Sequence, residues 1–269
     1  MENSVSGKTI FITGATDGLG KLVAMHLAEQ GAHLLIHGRN MTKGEEVLRD
    51  LKHRTGNPNI HYYNADFSLL SDVNALGIRL LNEDKRIDIL INNAGTALSK
   101  REVNTDGIEL TLAVNYFAQV LLTEKLLAIM SLQSSKIINV ASAAQRALDF
   151  SDFMMEKYYE SFSAYSKSKA ALIMYTFDLA ERLKGKGITV NALHPATLMN
   201  TKMVMDRSYV MSTVEEGASA VEGLLKIKET GCYYNSKRLS KAIPQVYDVP
   251  TRRKLWKLTN DILTPYLFC

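Results

Sequence analysis

The sequence predicts an α/β protein built on a single doubly wound parallel sheet, Rossmann-like, with helices on both faces. Three observations point there. Short apolar runs rich in β-branched residues alternate with longer stretches of helical composition, and strand followed by helix, repeated, implies parallel strands joined by right-handed crossovers. A glycine-rich segment, "TGATDGLG", lies between the first such run and the first helical stretch. No internal repeat, low-complexity block or Pro/Gly/Ser linker divides the 269 residues, a length that α/β folds commonly reach as one unit. The expectation is one dinucleotide-binding domain over 1–269, with a short substrate lid around 199–230.

In chain order, the β-branched and apolar runs predict strands over 8–13, 33–37, 60–63, 87–91, 136–141 and 188–193. The intervening segments predict helices over 21–30, 43–53, 69–82, 107–129 and 161–184. The last is the firmest, because it holds neither Pro nor Gly and is rich in Ala, Leu, Met, Lys and Glu before Gly185 ends it. A basic stretch over 251–257, "TRRKLWK", carries Leu255 and Trp256 and predicts an amphipathic helix packed on the body.

Composition narrows the function. Hydrophobic residues make up 46% and charged residues 22% of the chain, enough apolar surface for a full core. The net charge of +4 is spread along the chain, too diffuse for a nucleic-acid partner. Cys232 and Cys269 are the only cysteines and the six histidines are scattered, so neither a disulfide framework nor a metal site is expected. The first strand-like run begins after seven residues and no uninterrupted apolar run approaches bilayer-spanning length. The expectation is a cytoplasmic protein without integral membrane association.

Doubly wound sheets bind ligands outside the carboxyl ends of their strands, so the residues at those ends matter most. After the first strand come Gly14, Thr16, Asp17, Gly18, Leu19 and Gly20. Glycines there permit a tight turn and close backbone approach, which lets a pyrophosphate sit on a helix N-terminus and its free N–H groups; a purely structural turn has the same composition. After the second strand stand Gly38 and Arg39 with no carboxylate. A carboxylate there suits a ribose hydroxyl and an arginine suits a 2′-phosphate, so NADP(H) is favoured and NAD(H) is the alternative. Arg39 could equally be a solvated charge, and Asp17 adds a negative charge nearby.

The stretch "AYSKSKAAL" sets two lysines after Tyr165. On a helix the neighbour of Tyr165 is Lys169, four residues on, while Lys167 lies about 200° around the axis. An ammonium beside a phenol favours the phenolate, which makes Tyr165 a usable acid or base. An exposed helix edge with solvated lysines has the same spacing. A second Tyr-x-x-x-Lys, Tyr233 to Lys237, follows a strand-like "CYY" run, where four-residue spacing does not bring side chains together. It reads as a decoy.

Taken in order, "TGATDGLG", Asp66 after the third strand, "NNAG" at Asn92 to Gly95, Asn115 in "LAVNYFA", Ser142 in "NVAS" and "YSKSK" resemble the short-chain dehydrogenase/reductase family over nearly the whole chain. The resemblance implies a catalytic set of Asn115, Ser142, Tyr165 and Lys169. In that set Tyr165 exchanges the proton at the substrate oxygen and Ser142 hydrogen-bonds the same oxygen. Lys169 tunes Tyr165 and holds the nicotinamide ribose, and Asn115 organises a proton-relaying water. It also implies cofactor contacts at Asp66, Phe67, Asn93, Ala94, Gly95, Pro195 and Thr201, with Asn92 bonding neighbouring strands.

The long segment between Ser142 and Tyr165 and the "GCYY" and "YDVPTRRKLWKLTNDIL" stretches resemble the retinol dehydrogenase-like branch. That branch implies a lipophilic carbonyl or alcohol substrate and oxidoreductase activity of the carbonyl reductase kind; homodimerisation through the helices containing Asn115 and Tyr165 is common in the family. One departure stands out. "HPATLMNT" carries Ala196 where the family usually has glycine, and Thr201 falls one residue late, so Asn200 competes for the nicotinamide contact. Residues 203–213 have the mixed Met and polar character of a mobile lid or of gap-filling core. The rival function is a non-enzymatic NADP(H) sensor acting through a protein partner.

Overall fold

The computed structural model describes residues 5–83, 86–130, 134–201 and 209–267. Its centre is an eight-stranded sheet in the order β3-β2-β1-β4-β5-β6-β7-β8. The strands are β1 (Thr9–Ile12), β2 (His33–Gly38), β3 (Ile60–Asn64), β4 (Ile89–Asn92), β5 (Ser135–Val140), β6 (Ile188–His194), β7 (Cys232–Asn235) and β8 (Arg238–Ser240). All neighbouring pairs are parallel except β7 with β8. The predicted parallel sheet therefore ends in an antiparallel hairpin, a three-residue edge strand too short to leave a periodic signal.

Strand alternation divides the core. Phe11 and Leu35 point into one apolar cluster, while Ile10, Ile12, Leu34 and Ile36 point into the other, as a pleat of period two requires. Helices α1 (Gly18–Glu29) and α2 (Met41–Thr55) contribute to the second cluster. Helices α3 (Leu70–Asn82), α4 (Leu110–Leu112), α5 (Ala118–Leu126) and α6 (Ser161–Arg182) contribute to the first. Between α4 and α5 the helix widens into a π turn, Ala113–Phe117, where the Ala118 N–H reaches back to the Ala113 carbonyl. The stretch Leu110–Ile129 is long and apolar enough by composition to cross a membrane. Here it is mostly buried as a core element.

The predicted lid over 199–230 divides. Residues 202–208 lie outside the described residues, whereas α7 (Val214–Leu224) is a regular helix packed on α1. A capping box starts it: Thr213 Oγ1 accepts from the Glu216 N–H and the Glu216 carboxylate accepts from the Thr213 N–H. Val214, Ala218, Val221 and Leu224 then bury its inner face in the second cluster. This part belongs to the body, because an amphipathic helix with an occupied apolar face has no surface free to swing.

The basic stretch at 251–257 forms the start of α8 (Val249–Leu267), which packs against α3, α5 and α6. Leu255 and Leu263 are buried, and Trp256 stacks on Tyr175 at 6.3 Å with the Arg182 guanidinium 4.5 Å over its indole. The Tyr116 hydroxyl and Thr259 Oγ1 lie 2.7 Å apart. Arg252, 5% exposed, sits 2.9 Å from Asp178 and 3.3 Å from Glu181 on α6. Removing one member of a buried ion pair strands the other. Arg252→Ala should therefore lower unfolding stability by about 3 kcal/mol, read as a shifted urea midpoint at unchanged slope.

Candidate active site

The order of the sheet reverses at β1, which lies between β2 and β4, so the carboxyl ends of β1 and β4 diverge there and leave a crevice. The two loops that leave these strands are tied together. The Thr13 hydroxyl accepts from the Asn93 and Ala94 N–H groups, each at 2.9 Å, and the Asn93 amide donates to the carbonyls of Thr13 and Gly14 at 2.9 and 3.0 Å. Gly14 has φ +65°, and a Cβ there would fall 2.8 Å from Ala94 Cα. Only glycine fits that contact. The expected loop beside a cofactor is thus also the clamp on the glycine turn, and the Asn93 side chain is used for clamping.

The turn delivers the N-terminus of α1. Asp17 caps it by accepting the Gly18 N–H at 2.9 Å, and Lys43 pairs with the other Asp17 oxygen at 2.5 Å. The negative charge that weakened the case for a phosphate is therefore matched by a cation. The Leu19 side chain is buried in the core, so only its backbone faces the crevice side of the turn. Thr16 packs over Gly38, where a Cβ would come within 2.5 Å of Thr16 Cγ2. The next residue, Arg39, is exposed. Tyr62 holds the loop around it, its hydroxyl 2.9 Å from both the Gly38 and Asn40 carbonyls.

His37 was not legible as a site residue in the sequence. Its Nδ1 accepts the Gly14 N–H at 3.3 Å, and its Nε2 lies 3.0 Å from the Ala65 carbonyl, which requires the neutral tautomer protonated on Nε2. Burial lowers its pKa to about 4. Phe67 stacks on this ring at 4.1 Å and is itself buried. The Phe67 ring supports His37 from within the core, which leaves its backbone as the part beside Asp66. Asp66 remains half-buried at the end of β3, one carboxylate oxygen accepting the Ser68 N–H at 2.9 Å.

On α6, Tyr165 and Lys169 share a face as the helix predicts, the ammonium 5.7 Å from the centre of the tyrosine ring. Lys169 is buried, donates to the Val140 carbonyl at 2.8 Å, and has its pKa lowered to about 8 by desolvation. The Ser142 side chain stands close enough to the Tyr165 hydroxyl to act on its titration. Burial raises the Tyr165 pKa and Ser142 opposes the rise. Desolvation sets the direction at Tyr165, and Ser142 rather than Lys169 is the group that opposes it.

Asn115 sits in the π turn, fully buried. Its Oδ1 accepts the Thr96 N–H at 2.7 Å, and its amide donates to the Thr96 carbonyl at 2.9 Å and to Ser168 Oγ at 3.0 Å. Ser168 in turn donates to the Tyr165 carbonyl at 2.7 Å. The Asn115 side chain therefore ties the loop after β4 to α6, with Ser168 as the link. Gly95 lies between the two sides: a Cβ there would stand 3.4 Å from Asn115 Oδ1 and 3.5 Å from Lys169 Nζ. Asn92 bonds across strands as expected, donating to Asn139 at 2.8 Å and to Thr123 at 2.9 Å.

After β6, Pro195 is buried and Asn200 Oδ1 accepts the Val214 N–H at 2.9 Å. Thr201 turns instead toward the glycine turn, its Cγ2 3.1 Å from where a Gly18 Cβ would lie. Of the two competing residues, Thr201 lies beside Gly18 and the side-chain oxygen of Asn200 is bonded to the start of α7. An open recess of about 590 Å³ lies beyond β6 and β7, lined by Pro195, Thr197, Glu215 and Lys237 among others. Ser142, Tyr165 and Lys169 do not line it. Lys237 reaches Ser219 at 2.6 Å, away from Tyr233, so the second Tyr-x-x-x-Lys makes no pair.

The family model for short chain dehydrogenases matches residues 8–210. The chain belongs to that family. Human retinol dehydrogenase 13 is 30% identical over 276 residues, covering 94% of this chain and 83% of its own length. Human retinol dehydrogenase 11 is 31% identical, covering 96% and 86%. The mouse retinol dehydrogenase 13 is 37% identical over 196 residues, 71% of this chain and 59% of that protein. These relatives place the chain on the retinol dehydrogenase-like branch. Among solved structures, a short chain dehydrogenase from Burkholderia cenocepacia J2315 in complex with NADP superposes with a TM-score of 0.71 at 25% identity, covering 88% of this chain and 99% of that one. A putative uncharacterized protein from Mycobacterium paratuberculosis shares the fold at a TM-score of 0.79, with 23% identity over 97% of this chain and 95% of that one. The family makes this chain an oxidoreductase of the alcohol–carbonyl pair that works with a nicotinamide dinucleotide.

The buried His37 gives the site a pH signature. Its folded pKa of about 4 lies below the ordinary 6.5, so between those values the unfolded chain binds the extra proton. The contribution is intact above pH 6.5 and falls away toward pH 4, a loss of about 3 kcal/mol over that window. Denaturation midpoints measured from pH 7 to 4 should fall more steeply in the wild type than in His37→Gln.

Proposed function

We propose that the protein is an NADP(H)-preferring oxidoreductase that interconverts a carbonyl and a primary or secondary alcohol on an apolar small molecule. The observation that carries the reading is the placement of Lys169 over the Tyr165 ring on one face of α6, with Ser142 close enough to act on the Tyr165 hydroxyl. The dinucleotide fits the residues present. The glycine turn offers the N-terminus of α1 for a pyrophosphate, and Gly95 keeps side-chain atoms away from Lys169 Nζ. When bound, the dinucleotide supplies or accepts the hydride.

The remaining chemistry belongs to this chain. Reduction builds negative charge on the substrate oxygen, and a fixed donor plus a proton must meet it there. Tyr165 Oη gives that proton and Ser142 Oγ hydrogen-bonds the same oxygen. Lys169, anchored on the Val140 carbonyl, holds positive charge beside the tyrosine ring as the phenolate forms. Arg39, on a loop fastened by Tyr62, takes a 2′-phosphate, and the Lys43–Asp17 pair keeps that end of the crevice from being net negative. The NADP in the Burkholderia relative and the names of the retinol dehydrogenases support this choice of cofactor and substrate. Phe162, one helical turn before Tyr165, exposes an apolar ring on the way in.

The helices flanking Asn115 and carrying Tyr165 pack against α8 of the same chain.

Tyr165→Phe should reduce carbonyl turnover by about a thousandfold while NADPH binding, followed by fluorescence, is retained. The panel is retinal, steroid, quinone and short aldehydes; no turnover by the wild type on any of them would favour a dinucleotide sensor. Arg39→Ala should weaken NADPH at least about tenfold by the loss of a charge-assisted contact, with little change for NADH. A wild type that prefers NADH would overturn the Arg39 assignment.

A further inference from the structure

The loop after β5 carries Ser142, and its hydrogen bonds run to a part of the chain with no place in the mechanism above. The Ser142 carbonyl accepts two side-chain donors, the Tyr233 hydroxyl at 3.0 Å and the Gln145 amide at 2.9 Å. A carbonyl oxygen has two lone pairs, so both are used. Ser142 Oγ accepts the Ala144 N–H at 3.1 Å. Its one hydroxyl proton is not used in these bonds.

The two donors are themselves held. Tyr233 lies on β7, buried, with its backbone in register between Ala192 and Ser240. Gln145 Oε1 accepts the Ile243 N–H at 2.9 Å. Farther along the loop, Gln245 grips Leu148 at both ends, accepting its N–H at 2.6 Å and donating to its carbonyl at 3.0 Å. The turn Pro244–Tyr247 that supplies Gln245 leads directly into α8. Burial pushes the Tyr233 hydroxyl up to about 12, with Tyr165 and Tyr247 as the titratable groups acting on it, so it stays a donor at neutral pH.

We infer that Tyr233, with Gln145, is a positioning residue for the reaction: by fixing the backbone carbonyl of Ser142 it aims the Ser142 hydroxyl at Tyr165 and the substrate oxygen. Tyr233 acts through the Ser142 carbonyl, which its hydroxyl bonds at 3.0 Å. This rests on the oxidoreductase reading, and it adds a function for a tyrosine that sequence spacing dismissed as a decoy.

The test compares the wild type with Tyr233→Phe, which keeps the buried ring, with Gln145→Met, and with the double variant. Each single change leaves the Ser142 carbonyl one donor, so kcat should fall about threefold in each and at least about tenfold in the double variant, with KM for NADPH unchanged. The alkaline limb of the kcat profile should move to higher pH, because the action of Ser142 that lowers Tyr165 is weakened. Hydrogen exchange supplies a readout free of turnover: the Ala144 amide should exchange faster in Tyr233→Phe while the amides of β5 and β6 do not. Unchanged kcat and pH profile in the double variant would overturn the inference, as would equal losses in kcat and NADPH affinity, which mark a general structural defect. If the wild type reduces nothing on the panel, the oxidoreductase reading falls, and unchanged Ala144 exchange would separately remove the positioning claim.

Discussion

Contact between two backbones, at the ends of β1 and β4, is the constraint from which the site is built. Gly14 and Ala94 approach so closely that no side chain fits between them, and the Thr13 hydroxyl and Asn93 amide lock the two loops at that separation. With this fixed, α1 begins at one place and points one way. The loop continuing through Gly95 and Thr96 is then carried to Asn115, and through Ser168 to α6. The glycine turn and the helix carrying Tyr165 are thus joined by a chain of buried and part-buried hydrogen bonds. In a low-dielectric interior such a network is costly to leave half made.

The electrostatics follow from burial more than from pairing. Tyr165 is driven up and Lys169 down by the same loss of solvent, and His37 is held neutral by it. Desolvation draws the pKa values of Tyr165 and Lys169 in opposite directions, the first away from neutrality and the second toward it. A lysine near 8 exchanges protons readily at neutral pH, whereas the phenol alone does not. The Ser142 hydroxyl is the contact that works against desolvation at Tyr165, which is why the orientation of that serine matters more than its presence.

Much of this was legible in the sequence because it rests on local order. Six strands and five helices follow from β-branched runs and helix composition, and the pairing of Tyr165 with Lys169 rather than Lys167 follows from 3.6 residues per turn. What was illegible is long-range. Thr13, His37 and Ser168 work through partners up to 81 residues away, and nothing in the spacing of a lone threonine or histidine announces that. The burial of the Phe67 ring beside half-exposed Asp66 was not legible either. Nor was the packing of Val214 to Leu224 on α1, since that stretch has mixed composition. Tyr233 was rightly separated from Lys237, and its bond to the Ser142 carbonyl, 91 residues back, left no trace in local spacing.

The stitching of the Ser142 loop to β7 and to the turn before α8 also orders events during synthesis. The glycine turn, its clamp on Asn93 and the Arg39 loop draw on residues before 96, so a nascent chain can assemble them early. Ser142 is different: the hydroxyl of Tyr233 and the backbone of Ile243 emerge about a hundred residues after it, at chain positions 233 and 243 against 142. A ribosome-bound intermediate can therefore form the clamped glycine turn before the bonds that hold the Ser142 loop exist, and that loop is set last.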